Sequence, residues 1–206
     1  KSELFGYASF SEKYSIDAPF SIIDFETSGF EPKSGRILEI GIIKIDENGN
    51  LLEEYSTLVN PNDGNVGRSD IHQITLEMVK DAPILDEVIG DVLRIIDSSI
   101  IVAHNARFEE RFLNSAFAKV GLIHPLIPTI DTLWLSRQAL NLPNYKLGTV
   151  IEGFGHKIEN AHTALGDVKA MAKVLPQMLA KVEIVKYPTV LSASPSYTIT
   201  GKTLPR

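Results

Sequence analysis

Residues 20–59 read FSIIDFETSGFEPKSGRILEIGIIKIDENGNLLEEYSTLV, and this stretch decides the fold. Phe20–Asp24 is a short apolar run, and Thr27-Ser28-Gly29 punctuates it. Arg36–Asp46 is dense in isoleucine, the β-branched composition that suits a pleated, half-buried surface. Glu47-Asn-Gly49-Asn50 then has the chemistry of a hairpin turn, and Leu51–Val59 returns. Three consecutive strands joined by short or moderate loops are therefore predicted.

Beyond residue 83 the period changes. Leu85, Val88, Ile89, Val92, Leu93 and Ile96 follow the helical i, i+3, i+4, i+7 template. Ser99–Ala103 reads as a buried strand, with a helix from Ala106 to Val120 behind it. Leu126–Ile130 is another short strand, followed by a helix from Asp131 to Leu140 and a short one over Lys146–Phe154. A long helix starts at Thr163 with the stripe Leu165, Val168, Ala172, Leu175 and Leu179, and Pro176 is expected to kink it or end its first segment. Three meandering strands followed by alternating strands and helices argue an α/β fold, a mixed sheet flanked by helices. Residues 1–19 show no sustained periodicity and are expected to be an arm or linker, loosely docked. Residues 182–206 end in a Pro-, Ser- and Thr-rich run and are read as a tail. A first residue of Lys rather than Met is read as the mark of a processed form or a piece of a longer chain.

The composition narrows the function classes. Zero cysteines exclude a disulfide framework, an iron–sulfur cluster and a Cys-ligated zinc site. No apolar run approaches the ~18 residues that span a bilayer, and the N-terminus lacks the layout of a secretory signal, so a cytoplasmic location without membrane contact is expected. A net charge of −6 argues against a broad basic face for duplex binding. The acid excess is either a solvated surface or, in part, a metal-ion site.

Three constellations bear on that choice. Asp24 and Glu26 stand two apart at the end of an apolar strand, so both carboxylates share one face while Ile23 and Phe25 enter the opposite layer. Either a cation neutralises them or they form a capping or turn-forming acid pair. In His104-Asn105-Ala106-Arg107-Phe108-Glu109, Asn105 is a good N-cap. Glu109 interrupts an apolar stripe of Leu113, Ala116 and Val120, which suits a salt bridge or a ligand to a shared cation; its neighbour Glu110 is expected to be solvated. In His162-Thr-Ala164-Leu-Gly-Asp167, five helical residues turn about 500°, so the two side chains would diverge by about 140° on one helix. His162 is therefore expected on the entering loop and Asp167 on the helix, an arrangement for a general base beside a metal ligand. The alternative is a loop histidine followed by an acid that favours the helix dipole. Four acids without cysteine point to a hard cation, magnesium or manganese.

Asp24-Phe-Glu26-Thr27-Ser28-Gly29, His104-Asn105-Ala106-Arg107-Phe108-Glu109, Asp131-Thr-Leu133 and His162-Thr-Ala164-Leu-Gly-Asp167 together resemble the DEDD-type 3′→5′ exonucleases of the His subtype, the proofreading epsilon-subunit family. Leu58-Val-Asn-Pro61 and Ile71-His-Gln-Ile-Thr75 fit between them, and the resemblance covers residues 20–181, the expected exonuclease domain. It implies a ribonuclease-H-like fold with a central five-stranded mixed sheet and two divalent cations, Mg²⁺ or Mn²⁺. Asp24 would bridge both ions, Glu26 and Asp167 would complete one site, and Glu109 would serve the other through water. His162 would take the proton of the attacking water, and nucleoside monophosphates would leave from the end of a DNA strand. Thr27 and the backbone of Ser28, beside Gly29, would hold the 3′-hydroxyl, while Phe30, His72, Asn105 and Phe108 would contact the last nucleotides. The implied partners are a single-stranded or frayed 3′ end and a polymerase or repair protein.

One position departs from that family, which usually carries Asp where this chain has Glu109. The extra methylene reaches about 1 Å farther, large against magnesium–oxygen bonds of ~2.1 Å, and a water-mediated ligand absorbs it. Two further readings remain open: the same chemistry on RNA ends, and a catalytically silent module that docks a polymerase or repair partner.

Overall fold

The computed structural model describes residues 4–8, 19–122 and 126–182. Its elements are β1 (Phe5–Tyr7), β2 (Phe20–Thr27), β3 (Ile37–Ile45), β4 (Leu51–Leu58), α1 (Ser69–His72), α2 (Leu76–Val79), α3 (Leu85–Ile96), β5 (Ile100–Ala103), α4 (Arg107–Lys119), β6 (Ile127–Asp131), α5 (Thr132–Ala139), α6 (Leu147–Gly153) and α7 (Ala164–Lys181). The strands form one sheet in the order β1-β6-β5-β2-β3-β4. β2, β3 and β4 are antiparallel to their neighbours in sequence, while β1, β6, β5 and β2 run parallel. The carboxyl ends of β2, β5 and β6 therefore meet on one side, the edge where open α/β sheets take ligands.

Alternation along β2 builds both layers. Ile23 and Phe25 pack with Val88, Val92 and Ile95 of α3 and Phe112, Leu113 and Phe117 of α4. Phe20 and Ile22 face the other way, against Val168, Met171 and Leu175 of α7 and Leu135 of α5. Asp24 and Glu26 continue the Phe20–Ile22 row, so the two-residue period that fills the core also aims both acids toward the α7 side.

The sheet carries a sixth strand beyond the five implied by the resemblance. Three residues are too few to display a period, and β1 is held by contacts from far along the chain. Glu110 Oε1 accepts from the backbone N–H groups of Leu4 (3.1 Å) and Phe5 (3.0 Å), and Tyr7 donates its hydroxyl to Glu110 Oε2 at 2.6 Å. Glu110 is thus buried, not solvated as the helical face suggested, because the docking strand covers it. Val120, expected in the α4 stripe, follows the helix and is exposed. α7 runs unbroken to Lys181 despite Pro176. The proline forfeits one backbone bond, while Val174, Leu175 and Met178 are fully buried on either side of it and keep the helix on the sheet. Of the expected tail, 182–206, all but Val182 lies outside the described residues, as do residues 1–3 and 9–18 of the expected arm.

Candidate active site

Asp24, Glu26 and Asp167 each offer a carboxylate oxygen within 4.8 Å of the others. The approach is made possible at Gly41, paired with Asp24 across the β2–β3 ladder. A Cβ there would stand 2.5 Å from the carbonyl carbon of Ala164, so only glycine lets the first turn of α7 lie on the sheet beside Asp24. Asp167, one turn into α7, then faces the two strand acids. Glu109 comes from the other layer: its helix α4 packs with Phe112 and Leu113 in the opposite core, and its carboxylate lines the same cleft, outside the close trio.

These carboxyls repel one another in a dry place. Asp24 is held well above the usual carboxylate range by burial, then by Glu109, Asp167 and Glu26. Burial followed by Asp167 raises Glu26 to about 8. Glu109 is raised to about 8, chiefly by burial, and Asp167 to about 6 for the same leading reason, with His162 pulling the other way. Glu109 is only 2% exposed, and its Oε2 has no hydrogen-bond partner among the described residues. An orphaned buried carboxylate oxygen and three converging acids fit a divalent cation, since buried charge is retained where something neutralises it. The donor set is all oxygen, as a hard ion requires.

His162 stands on the loop before α7, exposed, with a left-handed φ of 67°. Its backbone N–H bonds to the Asp167 carboxylate. Thr163 caps α7 through Gly166 N–H at 3.1 Å, and the 159–163 loop folds so closely over Gly166 that a Cβ there would lie 2.6 Å from the Glu159 carbonyl oxygen. Loop histidine and helix acid are therefore arranged as the helical geometry required.

A cleft of about 580 Å³ opens over the acids. Thr27, Ser28, Gly29, Phe30, His72, Asn105 and Phe108 all line it, and so do Ser34, Arg68, Ile71 and His104. His162 is not among the lining residues. Phe30 is 79% exposed at the rim. Phe108 divides its ring between the cleft and Phe112, 5.1 Å away centroid to centroid. Thr27 donates its hydroxyl to the Gly29 carbonyl at 2.8 Å and keeps its lone pairs for an incoming donor. Ser28 N–H donates to the Arg36 carbonyl and its Oγ accepts from Arg36 N–H at 2.8 Å, while its carbonyl lies against Gly67. His72 is spent structurally: Nδ1 accepts from Ile74 N–H at 3.1 Å, so Nε2 donates to the Val66 carbonyl at 2.9 Å, and only its ring face remains for a nucleotide.

Asn105 does not cap α4. It adopts φ 67°, and α4 has no side-chain cap; Asp131 caps α5 through Leu133 N–H (2.9 Å) and also accepts from the N–H groups of Asn105 (3.0 Å) and Ala106 (3.2 Å) just ahead of α4. One carboxylate thus joins the starts of α4 and α5. His104 is tied alongside, to Thr132 Oγ1 at 3.0 Å and the Tyr145 carbonyl at 2.7 Å. The sequence alone assigns no role to Asp131 or Glu39. The available signal for Glu39 is an acid between Leu38 and Ile40 in a strand whose only other charged residue is Lys44.

The Exonuclease family profile matches residues 21–175. A PolC-type DNA polymerase III of Thermotoga maritima is 39% identical over 175 residues, covering 82% of this chain and 13% of that protein. The DNA polymerase III subunit epsilon of Treponema pallidum is 30% identical over 165 residues, 78% of this chain and 76% of the subunit. Exonuclease X, solved in complex with 5′ overhanging duplex DNA, superposes with a TM-score of 0.62 at 28% identity, over 78% of this chain and 91% of its own. The chain spans only a small fraction of the PolC-type proteins it matches. No helix among the described residues is long and apolar enough to cross a membrane. With the matched region running from the strand that carries Asp24 and Glu26 through the helix that carries Asp167, the chain belongs to the Exonuclease family, hydrolases that cut phosphodiester bonds.

Proposed function

We propose that this site hydrolyses the terminal phosphodiester at the 3′ end of DNA with two divalent cations, Mg²⁺ or Mn²⁺, as a cytoplasmic proofreading or repair activity working beside a polymerase. The observation that carries the reading is the trio of carboxylates within 4.8 Å, with the orphaned Glu109 oxygen in the same cleft. The names of the polymerase III relatives and the DNA complex of exonuclease X support DNA as the substrate. Divalent cations bound there would supply the charge that activates a water and neutralises the leaving oxygen.

The chain's own groups do the rest. Asp24, Glu26 and Asp167 would hold one ion, and Asp24 together with Glu109 would serve the second. His162, on its exposed loop, accepts the proton of the attacking water, which requires the loop to turn its ring toward the cleft when substrate enters. Thr27 Oγ1 accepts the proton of the 3′-hydroxyl, with the backbone of Ser28 and Gly29 beside it. Phe30 and Phe108 stack on the last bases, a sequence-tolerant contact, and Asn105 and the His72 ring face complete the lining.

Matched DNA and RNA oligonucleotides labelled at the 5′ end test the reading. In Mn²⁺ the expected result is a ladder shortening from the 3′ end, with DNA digested faster. A strong preference for RNA contradicts the substrate assignment, and shortening of a 3′-labelled strand from its 5′ end contradicts the polarity.

A further inference from the structure

Glu39 stands beside the carboxylate trio without belonging to it or lining the cleft. It sits on β3 directly opposite Glu26, and like charges opposed across a ladder are unfavourable. Its carboxyl is itself raised, chiefly by burial. The leading influence against this is a bond: Glu39 Oε2 accepts from the backbone N–H of Ala164 at 2.9 Å. Ala164 is the first residue of α7, fully buried, and its N–H is one of the helix-end donors with no partner inside the helix. Thr163 already serves Gly166, so Glu39 serves a different donor in the same turn. The bond lies two residues along β3 from Gly41, where the α7 backbone touches the sheet.

Resting on the cation-site reading above, we propose that Glu39 is a positioning residue that pins the first turn of α7 to β3 and so fixes Asp167 against Asp24 and Glu26. Reach and hydrogen-bond acceptance, rather than charge, are what the position requires. Glu39→Gln keeps an oxygen at the same reach and removes the charge. Glu39→Asp keeps the charge and withdraws it by one methylene from Ala164.

The test is Mn²⁺ binding to the 206-residue chain, followed by electron paramagnetic resonance of the free ion, alongside kcat and KM on single-stranded DNA. Supporting partners of metal ligands typically alter affinity ~10–100-fold, so Glu39→Asp is expected to weaken Mn²⁺ binding by at least ~10-fold. KM for the oligonucleotide should stay unchanged, kcat should recover at high Mn²⁺, and Glu39→Gln should remain within ~3-fold of wild type. Both substitutions are polar, Gln being isosteric and Asp one methylene shorter, and circular dichroism is to check that each variant is folded. Weak binding by Glu39→Gln with wild-type binding by Glu39→Asp overturns the proposal in favour of a purely electrostatic role, and wild-type binding by both overturns it outright. Failure of the wild-type chain to bind Mn²⁺ would instead sink the cation-site reading itself, so the two failures are distinguishable.

Discussion

At Asp24 the cost of the site is concentrated in one side chain. It is half-buried, desolvation raises its carboxyl, and Glu109, Asp167 and Glu26 press on it further. Removing the charge should therefore separate stability from activity. Asp24→Asn is expected to raise the thermal midpoint of the metal-free protein at pH 8 while lowering the digestion rate by about 10³-fold or more, as losing a central electrostatic group in an active site does. A melt in chelator and a rate in Mn²⁺ check the two halves. His162 has a different signature. Standing on a loop outside the close trio, it should be dispensable for the ions, so His162→Ala is expected to leave Mn²⁺ affinity intact and lower kcat by about 10²–10⁴-fold. Loss of metal binding in that variant would contradict its role as a base.

Among the elements, the long periodic ones were readable and the short ones were not. The stripe Val88, Ile89, Val92 and Ile96 and the isoleucines of Ile37–Ile45 announce α3 and β3 because each repeats its period several times. β1 has three residues and the helices at Ser69–His72 and Leu76–Val79 have four, too few for any period to show. The acids divide similarly. Asp24 and Glu26 could be assigned to one face from the strand period, and Asp167 to the helix, since local geometry decides both. Glu110 and Asp131 could not, because their partners Leu4 and Asn105 lie 106 and 26 residues away. Those long-range bonds carry measurable stability. Asp131→Ala would orphan N–H groups at the starts of both α4 and α5, and a loss of about 3 kcal/mol is expected by denaturant unfolding. Glu110→Ala should free β1, which hydrogen exchange reads as lost protection at Leu4 and Phe5 while the amides of β2 and β3 stay protected.

For the molecule as a whole, the cluster links folding to pH and to metal. Glu26 and Glu109 are raised to about 8 and Asp167 to about 6, all chiefly by burial. With folded-state values above the unfolded ones, the folded metal-free protein binds more protons, so its stability is fullest at low pH within this window and falls as pH climbs from about 5 toward 8. Cation binding needs the same groups deprotonated, so the stabilisation by Mn²⁺ is expected to grow over that range, read as a widening gap between thermal midpoints with and without the ion. A gap that narrows toward pH 8 would contradict the assignment of these acids as ligands. The net charge of −6 is thereby reinterpreted: four of its acids lie in a narrow cleft where cations, not a basic surface, would meet the phosphate. The most direct test is mononucleotide release from single-stranded DNA by the wild-type chain and by Asp24→Asn, each with Mn²⁺ and with chelator. Release by wild type in Mn²⁺ alone is the expected result, and digestion that survives either the chelator or the substitution would contradict a cation site built on Asp24.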